Sequence, residues 1–170
     1  MRPIRSLPAA LLLVVAIGPT GQVAAQEPPP AHVSVAAGLF QYEVGEADGL
    51  APMLALRVGS PISSVLLVEG SLVAARPDDS ALATALIPEV QVQLSLPFTG
   101  VNPYMGLGAG VAALDRGEGW STDLTISGAL GVKMWLNDQW GVMAEFRGRG
   151  MGTDFGNTSA EYTVGVSRSR

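Results

Sequence analysis

"TDLTISGALGVKMWL", residues 122–136, is apolar at nearly every second position: Leu124, Ile126, Leu130, Val132, Met134 and Leu136 share one parity. Asp123, Thr125, Ser127, Gly131 and Lys133 share the other. A strand sends alternate side chains to opposite faces, whereas a helix would scatter this pattern around its circumference. The stretch therefore reads as a strand with one aliphatic and one polar face.

The alternation recurs along the chain in segments of about ten residues separated by turn signals. Leu86, Val90, Val92, Leu94 and Leu96 alternate with Glu89, Gln91, Gln93 and Ser95. Trp140, Val142, Ala144 and Phe146 alternate with Glu145, Arg147 and Arg149; Tyr162, Val164 and Val166 alternate with Glu161, Thr163, Gly165 and Ser167. Weaker members run over residues 33–44, 50–59 (with Arg57 on the polar face) and 65–75 (with Glu69 there). The last is "YMGLGAGVA", residues 104–112, with glycine at 106, 108 and 110. Its spacing is G-x-G-x-G, not the G-x-G-x-x-G of a dinucleotide loop. It reads as a strand with one face of minimal size, leaving room for large side chains opposite. Eight strands result, and no segment between them has the length and period of a helix.

Turn signals fall into two alternating sets. "GSPISS" (59–64), "LPFTGVNP" (96–103) and "LNDQW" (136–140) form one; "EVGEADG" (43–49), "ARPDDSA" (75–81), "DRGEGWST" (115–122) and "GMGTDFGNTSAE" (150–161) form the other. The second set is expected to make longer, more acidic loops at one end of an eight-stranded antiparallel up-and-down β-barrel. Short periplasmic turns and longer outer loops are the asymmetry of outer-membrane barrels.

The ends and the composition fit an exported chain. Arg2 and Arg5 precede an apolar run, "AALLLVVAI" (9–17), and "VAA" (23–25) supplies small residues for a cut expected between Ala25 and Gln26. The run is shorter than the roughly 20 residues of a spanning helix. Three parts are expected: residues 1–25 a signal peptide, 26–32 a periplasmic leader, 33–170 the barrel. There is no cysteine, hence no disulfide framework and no lipid attachment point after the cut. The remaining chain has eight basic and fifteen acidic residues, with a single lysine. That balance argues against nucleic acid as a partner.

The charges decide which face meets lipid. The polar faces carry Arg57, Lys133, Arg147 and Arg149 against Glu69, Glu89, Glu145 and Glu161, four of each sign. A water-facing surface has no need of such balance, but a narrow interior does, because buried charges must be paired. Aliphatic side chains are therefore expected outside, against lipid, in a transmembrane barrel. The alternative, a soluble periplasmic lipocalin-like barrel, would hold its apolar face around a ligand. Arg57 is expected to pair with Glu69 or Glu89, and Arg147 with Glu161. Phe98, Tyr104, Trp135 and Trp140 are expected as interfacial aromatics at the tight-turn end, with Phe40, Tyr42, Trp120 and Phe155 near the other.

"VNPYMGLGAGVAALD" (101–115) and "WGVMAEFRGRGM" (140–151) resemble strands of the small eight-stranded outer-membrane barrels of the OmpA/OmpX/OmpW type. The resemblance covers residue 33 to the C-terminus. It implies an outer-membrane protein surrounded by lipid and lipopolysaccharide and inserted by the outer-membrane assembly machinery. In that family the last strand commonly ends in an aromatic residue; here "TVGVSRSR" ends in Arg170.

Members of such a family serve as structural proteins, adhesins, narrow pores or lipid A-modifying enzymes, so the fold leaves the role open. An enzyme of the deacylating kind needs a serine, a histidine and an acid in reach of one another. The one histidine, His32, falls in the leader, where a solvated side chain is expected. Neither "RPDDS" nor "EVGEADG" has EF-hand spacing, and "NTS" (157–159) reads as a polar turn. The expectation is a structural or surface-interaction barrel, its interior plugged by paired charges, with no cofactor, no metal and no catalytic site. Its extracellular partner is left unnamed; a narrow passive pore is the alternative.

Overall fold

The computed structural model describes residues 30–77, 82–96, 101–116 and 119–169. The expected signal peptide, most of the expected leader, and Phe98 lie outside them. Eight strands follow one another: β1 (His32–Val44), β2 (Ala47–Pro61), β3 (Leu66–Ala75), β4 (Thr84–Ser95), β5 (Val101–Asp115), β6 (Trp120–Trp135), β7 (Trp140–Met151) and β8 (Asn157–Ser169). Each pairs antiparallel with the next, and β8 pairs with β1 to close the barrel. Closure leaves no sheet edge to be capped or covered.

The alternation read from residues 122–136 holds along β6: Thr125, Ser127, Ala129 and Lys133 are buried, while Leu124, Ile126, Leu130 and Met134 face outward. The outer wall is aliphatic all round, as at Leu54 on β2, Leu107 on β5 and Val164 on β8, each more than 60% exposed. Among the described residues, exposed charges sit at the two rims or in connections, as with Glu43 and Asp48 at one rim and Arg168 at the other. An uncharged belt between charged rims is what a bilayer selects. A one-residue slip in a strand's register would turn its outward aliphatic side chains inward and its inward charges into lipid.

At the end shared by the chain termini, connections span residues 62–65, 96–100 and 136–139; at the other they span 45–46, 76–83, 116–119 and 152–156. The expected difference in length fails at the first acidic connection, which is a two-residue turn. Val44, Glu43 and Tyr42 pair with Ala47, Asp48 and Gly49, drawing most of "EVGEADG" into strands. Gly45, the first turn residue, has φ 61°, which suits the hairpin turn that requires glycine there. Acidity separates the two ends better than length: by sequence the first set of connections holds only Asp138, the second Glu46, Asp78, Asp79, Glu118 and Asp154.

Inside, the barrel has two storeys. Toward the acidic rim lies an apolar layer that includes Phe40, Tyr42, Met53, Ile87, Leu114 and Met151. Below it, toward the termini, lie the charged side chains. Phe40 and Tyr42 therefore belong to the interior, stacked with ring centroids 6.0 Å apart, and not to an aromatic belt. Their parity, that of buried Ser34 and Ala36, carries them inward.

The wall predicts a contrast on β6. Leu130→Arg should cost about 2–4 kcal/mol in a lipid refolding titration. Gly128→Ala, two residues away on the same outward face with open space around its Cα, should be nearly silent. Equal losses at both positions would contradict the face assignment.

Candidate functional site

The lower storey is the one concentrated polar constellation among the described residues. Arg57 on β2, Glu69 on β3, Glu89 on β4, Lys133 on β6, Glu145, Arg147 and Arg149 on β7 and Glu161 on β8 are all buried. Alternation puts each on the inner face, and closure brings strands from opposite sides of the sheet within side-chain reach.

Arg147 spans the lumen. Its Nη1 donates to Glu89 Oε1 at 2.6 Å and to Ser71 Oγ at 3.3 Å. Its Nη2 donates to Gln91 Oε1 at 2.5 Å and lies 3.0 Å from Glu145 Oε1, to which Nε also donates at 3.1 Å. Arg149, one step up the same face, donates from Nε and Nη2 to Glu89 Oε2 at 3.2 and 3.1 Å, and from Nη1 to Glu161. Glu89 thus receives both guanidinium groups and the Ser127 hydroxyl, at 2.8 Å. The planar fork of arginine suits this, since one cation can hold several acceptors at fixed angles.

The rest of the network is looser. Arg57 Nη1 lies 2.9 Å from Glu145 Oε2, and Nη2 donates to Thr163 Oγ1 at 3.3 Å. Glu145 Oε2 also accepts from the Tyr104 hydroxyl at 2.7 Å. Glu69 has only distant partners, Arg147 Nη2 at 3.7 Å and His32 Nε2 at 3.8 Å. Near the terminal rim, Lys133 Nζ donates to His32 Nε2 at 2.6 Å, while His32 Nδ1 donates to the Pro30 carbonyl at 2.9 Å.

Several expectations are corrected by this geometry. Arg57 reaches Glu145 on β7 instead of Glu69 or Glu89. Arg147 stands directly opposite Glu161 in the β7–β8 register but crosses to β4, and Arg149 takes Glu161. In so narrow a lumen pairing follows height along the axis, not adjacency in the wall. His32 is not a solvated leader residue: it opens β1, is 1% exposed, and meets the edge of Trp135. Tyr104 is not interfacial; it lies inward, with Lys133 Nζ 5.8 Å from its ring centroid. The parity shared by Tyr104 with Gly106, and by His32 with Ser34, was the signal for both. Trp135 is half-buried, and Trp140 is exposed with the Arg168 guanidinium 5.6 Å from its ring centroid.

The glycine face of β5 has its explanation here. A methyl on Gly106 would overlap the Gln91 amide, and one on Gly108 would come within 2.6 Å of Glu89 Oε1 and 2.7 Å of Ser127 Oγ. The space goes to the β4 acceptors, which in turn hold Arg147 and Arg149. Chemically the constellation is well paired around Glu89, Arg147 and Arg149, while Arg57 Nε, both Glu69 oxygens and Gln91 Nε2 have no hydrogen-bond partner. Its histidine is occupied at both nitrogens, and among the described residues no three ligating side chains cluster for a metal.

Residues 9–169 match the family model described as outer membrane protein beta-barrel domain. No curated protein matches the chain by sequence. Among solved structures, the chain is similar to neisserial surface protein A at 14% identity and TM-score 0.70, covering 82% of this chain and 97% of that one. The attachment invasion locus protein Ail of Yersinia pestis is similar at 13% identity and TM-score 0.54, covering 82% and 99%. The outer membrane enzyme PagL is similar at 15% identity and TM-score 0.52, covering 81% and 98%. At these identities the likeness is one of fold.

Partner number ranks the carboxylates. Glu89→Ala takes a carboxylate from two buried guanidinium groups at once and should cost about 3–5 kcal/mol. Glu161→Ala should cost less, because Arg149 keeps Glu89. Urea midpoints of the refolded variants, followed by heat-modifiable gel mobility, check the order; a larger loss for Glu161→Ala would contradict it.

Proposed function

The chain belongs to the outer membrane protein beta-barrel domain family, and from that premise we propose that it serves as a closed structural barrel holding short acidic loops at the cell surface, neither conducting nor catalytic. Residues 1–25 are its cleavable export signal, and the outer-membrane assembly machinery inserts it.

The observation that carries this reading is the filling of the lumen. Eight strands enclose a space that side chains can fill. Here Arg147 bridges from β7 to β4 across the lower storey, and the apolar layer around Phe40 and Met151 lies above it. An ion would have to break a charge-assisted network and then shed its water against hydrocarbon. The two obstacles act in series, so weakening one leaves the other in place.

Catalysis is disfavoured by the position of His32. A general base needs a free nitrogen within reach of a nucleophile, and both nitrogens of this ring are engaged inside the barrel mouth. The likeness to PagL is a likeness of fold and brings no activity with it. Surface interaction is left to the rim that carries Glu43, Glu46, Asp48 and Asp154. For assembly, the outward Tyr162, Val164 and Val166 of β8 supply an aromatic and aliphatic pattern on the last strand.

Planar-bilayer recording tests the closed lumen. Wild-type protein should give no steady conductance, and Arg147→Ala alone should give none either, because the apolar layer persists. Large steady conductance from the wild type would overturn the reading.

A further inference from the structure

We propose that the outer wall over β7, β8 and β1 docks a second copy of this chain, with the Tyr162 hydroxyls of the two copies bonded to each other at mid-membrane. The proposal goes beyond the closed-barrel role and shares its orientation in the membrane.

The wall between the rims is almost bare of hydrogen-bonding groups. Among the described residues, Tyr162 is the only outward side chain carrying such a group more than three residues from a strand end. It sits near the middle of β8, is exposed, and lies against the ring of Phe146 with centroids 5.2 Å apart. The strands on either side of it, β7 and β1, are described throughout, and no hydrogen bond reaches its hydroxyl. A tyrosine at the membrane–water interface keeps its polar tip wet. At mid-strand the tip meets acyl chains, which offer no acceptor, and an unpaired hydroxyl there is costly.

Tyr162 also stands over a groove. Phe146, Tyr162 and Leu39 are direct partners across β7, β8 and β1 and form one bulky outward row. The next outward row toward the termini, Ala144, Val164 and Ala37, is shorter. It helps to line a groove of about 650 Å³ on the outer wall, which no charged side chain enters. Beside it Leu54, the β2 partner of Ala37, is exposed. Each copy therefore presents a ridge next to its groove, as a self-complementary contact needs.

The occupant must bring a hydrogen-bonding group to the depth of Tyr162. Lipid headgroups and esters lie at the interfaces and do not reach it. A second copy inserted the same way places an identical hydroxyl at an identical depth. A hydroxyl both donates and accepts, so the two pair across a two-fold axis along the membrane normal, with the same patch used on both copies. Ala37 and Ala144 let the walls approach, as small residues do between membrane helices.

Förster transfer between copies carrying donor or acceptor dye on Asp138→Cys, refolded into phosphatidylcholine vesicles over a series of protein densities, tests the contact. Wild type should show transfer above that of unassociated barrels at the same density. Tyr162→Phe should raise the density at half-association about fivefold, the span of one hydrogen bond between membrane segments. Ala144→Trp, which fills the groove, should abolish association, and Ala109→Trp, outward on β5, should leave it unchanged. Heat-modifiable mobility verifies that each variant is folded. Wild-type transfer no greater than that of unassociated barrels, an unchanged midpoint in Tyr162→Phe or in Ala144→Trp, or an equal loss in Ala109→Trp would overturn the proposal. A monomeric, non-conducting barrel would overturn this contact and leave the closed-lumen reading standing.

Discussion

Charge neutrality inside a narrow wall is the constraint on which the rest of this structure depends. Four cations and four carboxylates occupy the lower storey, where an unpaired charge would cost several kcal/mol. Strands that contribute a charge are held to heights where partners can meet, as β4 is by Glu89 with Arg147 and Arg149, whereas Glu69 on β3 has its nearest guanidinium at 3.7 Å. Arg147 makes this plain. Its side chain ignores the carboxylate directly opposite on β8 and crosses to Glu89 and Gln91, which have room because β5 presents Gly106 and Gly108 behind them. The glycine face, the cross-lumen arginine and the strand register are one solution to one packing problem.

The outside obeys the opposite requirement. Hydrocarbon offers backbone groups no hydrogen-bond partner, so the sheet must close, and it tolerates no charge at depth. The exposed charges accordingly stop at the rims. Inner and outer demands reinforce each other through the period of two: a sequence that places arginine inside at one residue places leucine outside at the next. The two-storey interior adds a division of labour. The ionic layer fixes register by specific pairs, and the apolar layer around Phe40 and Met151 packs above it toward the acidic rim.

Much of this was legible in the sequence because alternation is a local property. The eight segments, their two faces and the identity of the inward charges follow from parity alone. What escaped was anything set across the lumen. Arg57 pairing with Glu145 depends on relative heights of β2 and β7, which shear and closure determine and no short window contains. Tyr104 and His32 depart from expectation for another reason: in both, residue type and parity point to opposite faces. Tyrosine suggested a membrane interface and histidine a solvated leader, yet both share the parity of inward neighbours, and both turn in. The two-residue turn at Gly45 was missed because its acidic residues look like a loop, although Ala47–Gly49 have strand partners waiting on β1.

The central claim is that the aliphatic face meets acyl chains and the ionic face is sealed inside. The chain has no cysteine, so single cysteines can be introduced in turn at positions 124–134 and spin-labelled in lipid vesicles. Collision with dissolved oxygen should be high at even positions and low at odd ones throughout β6, with a water-soluble relaxant excluded from both. The opposite phase, or free access of the water-soluble relaxant to the even positions, would contradict the account.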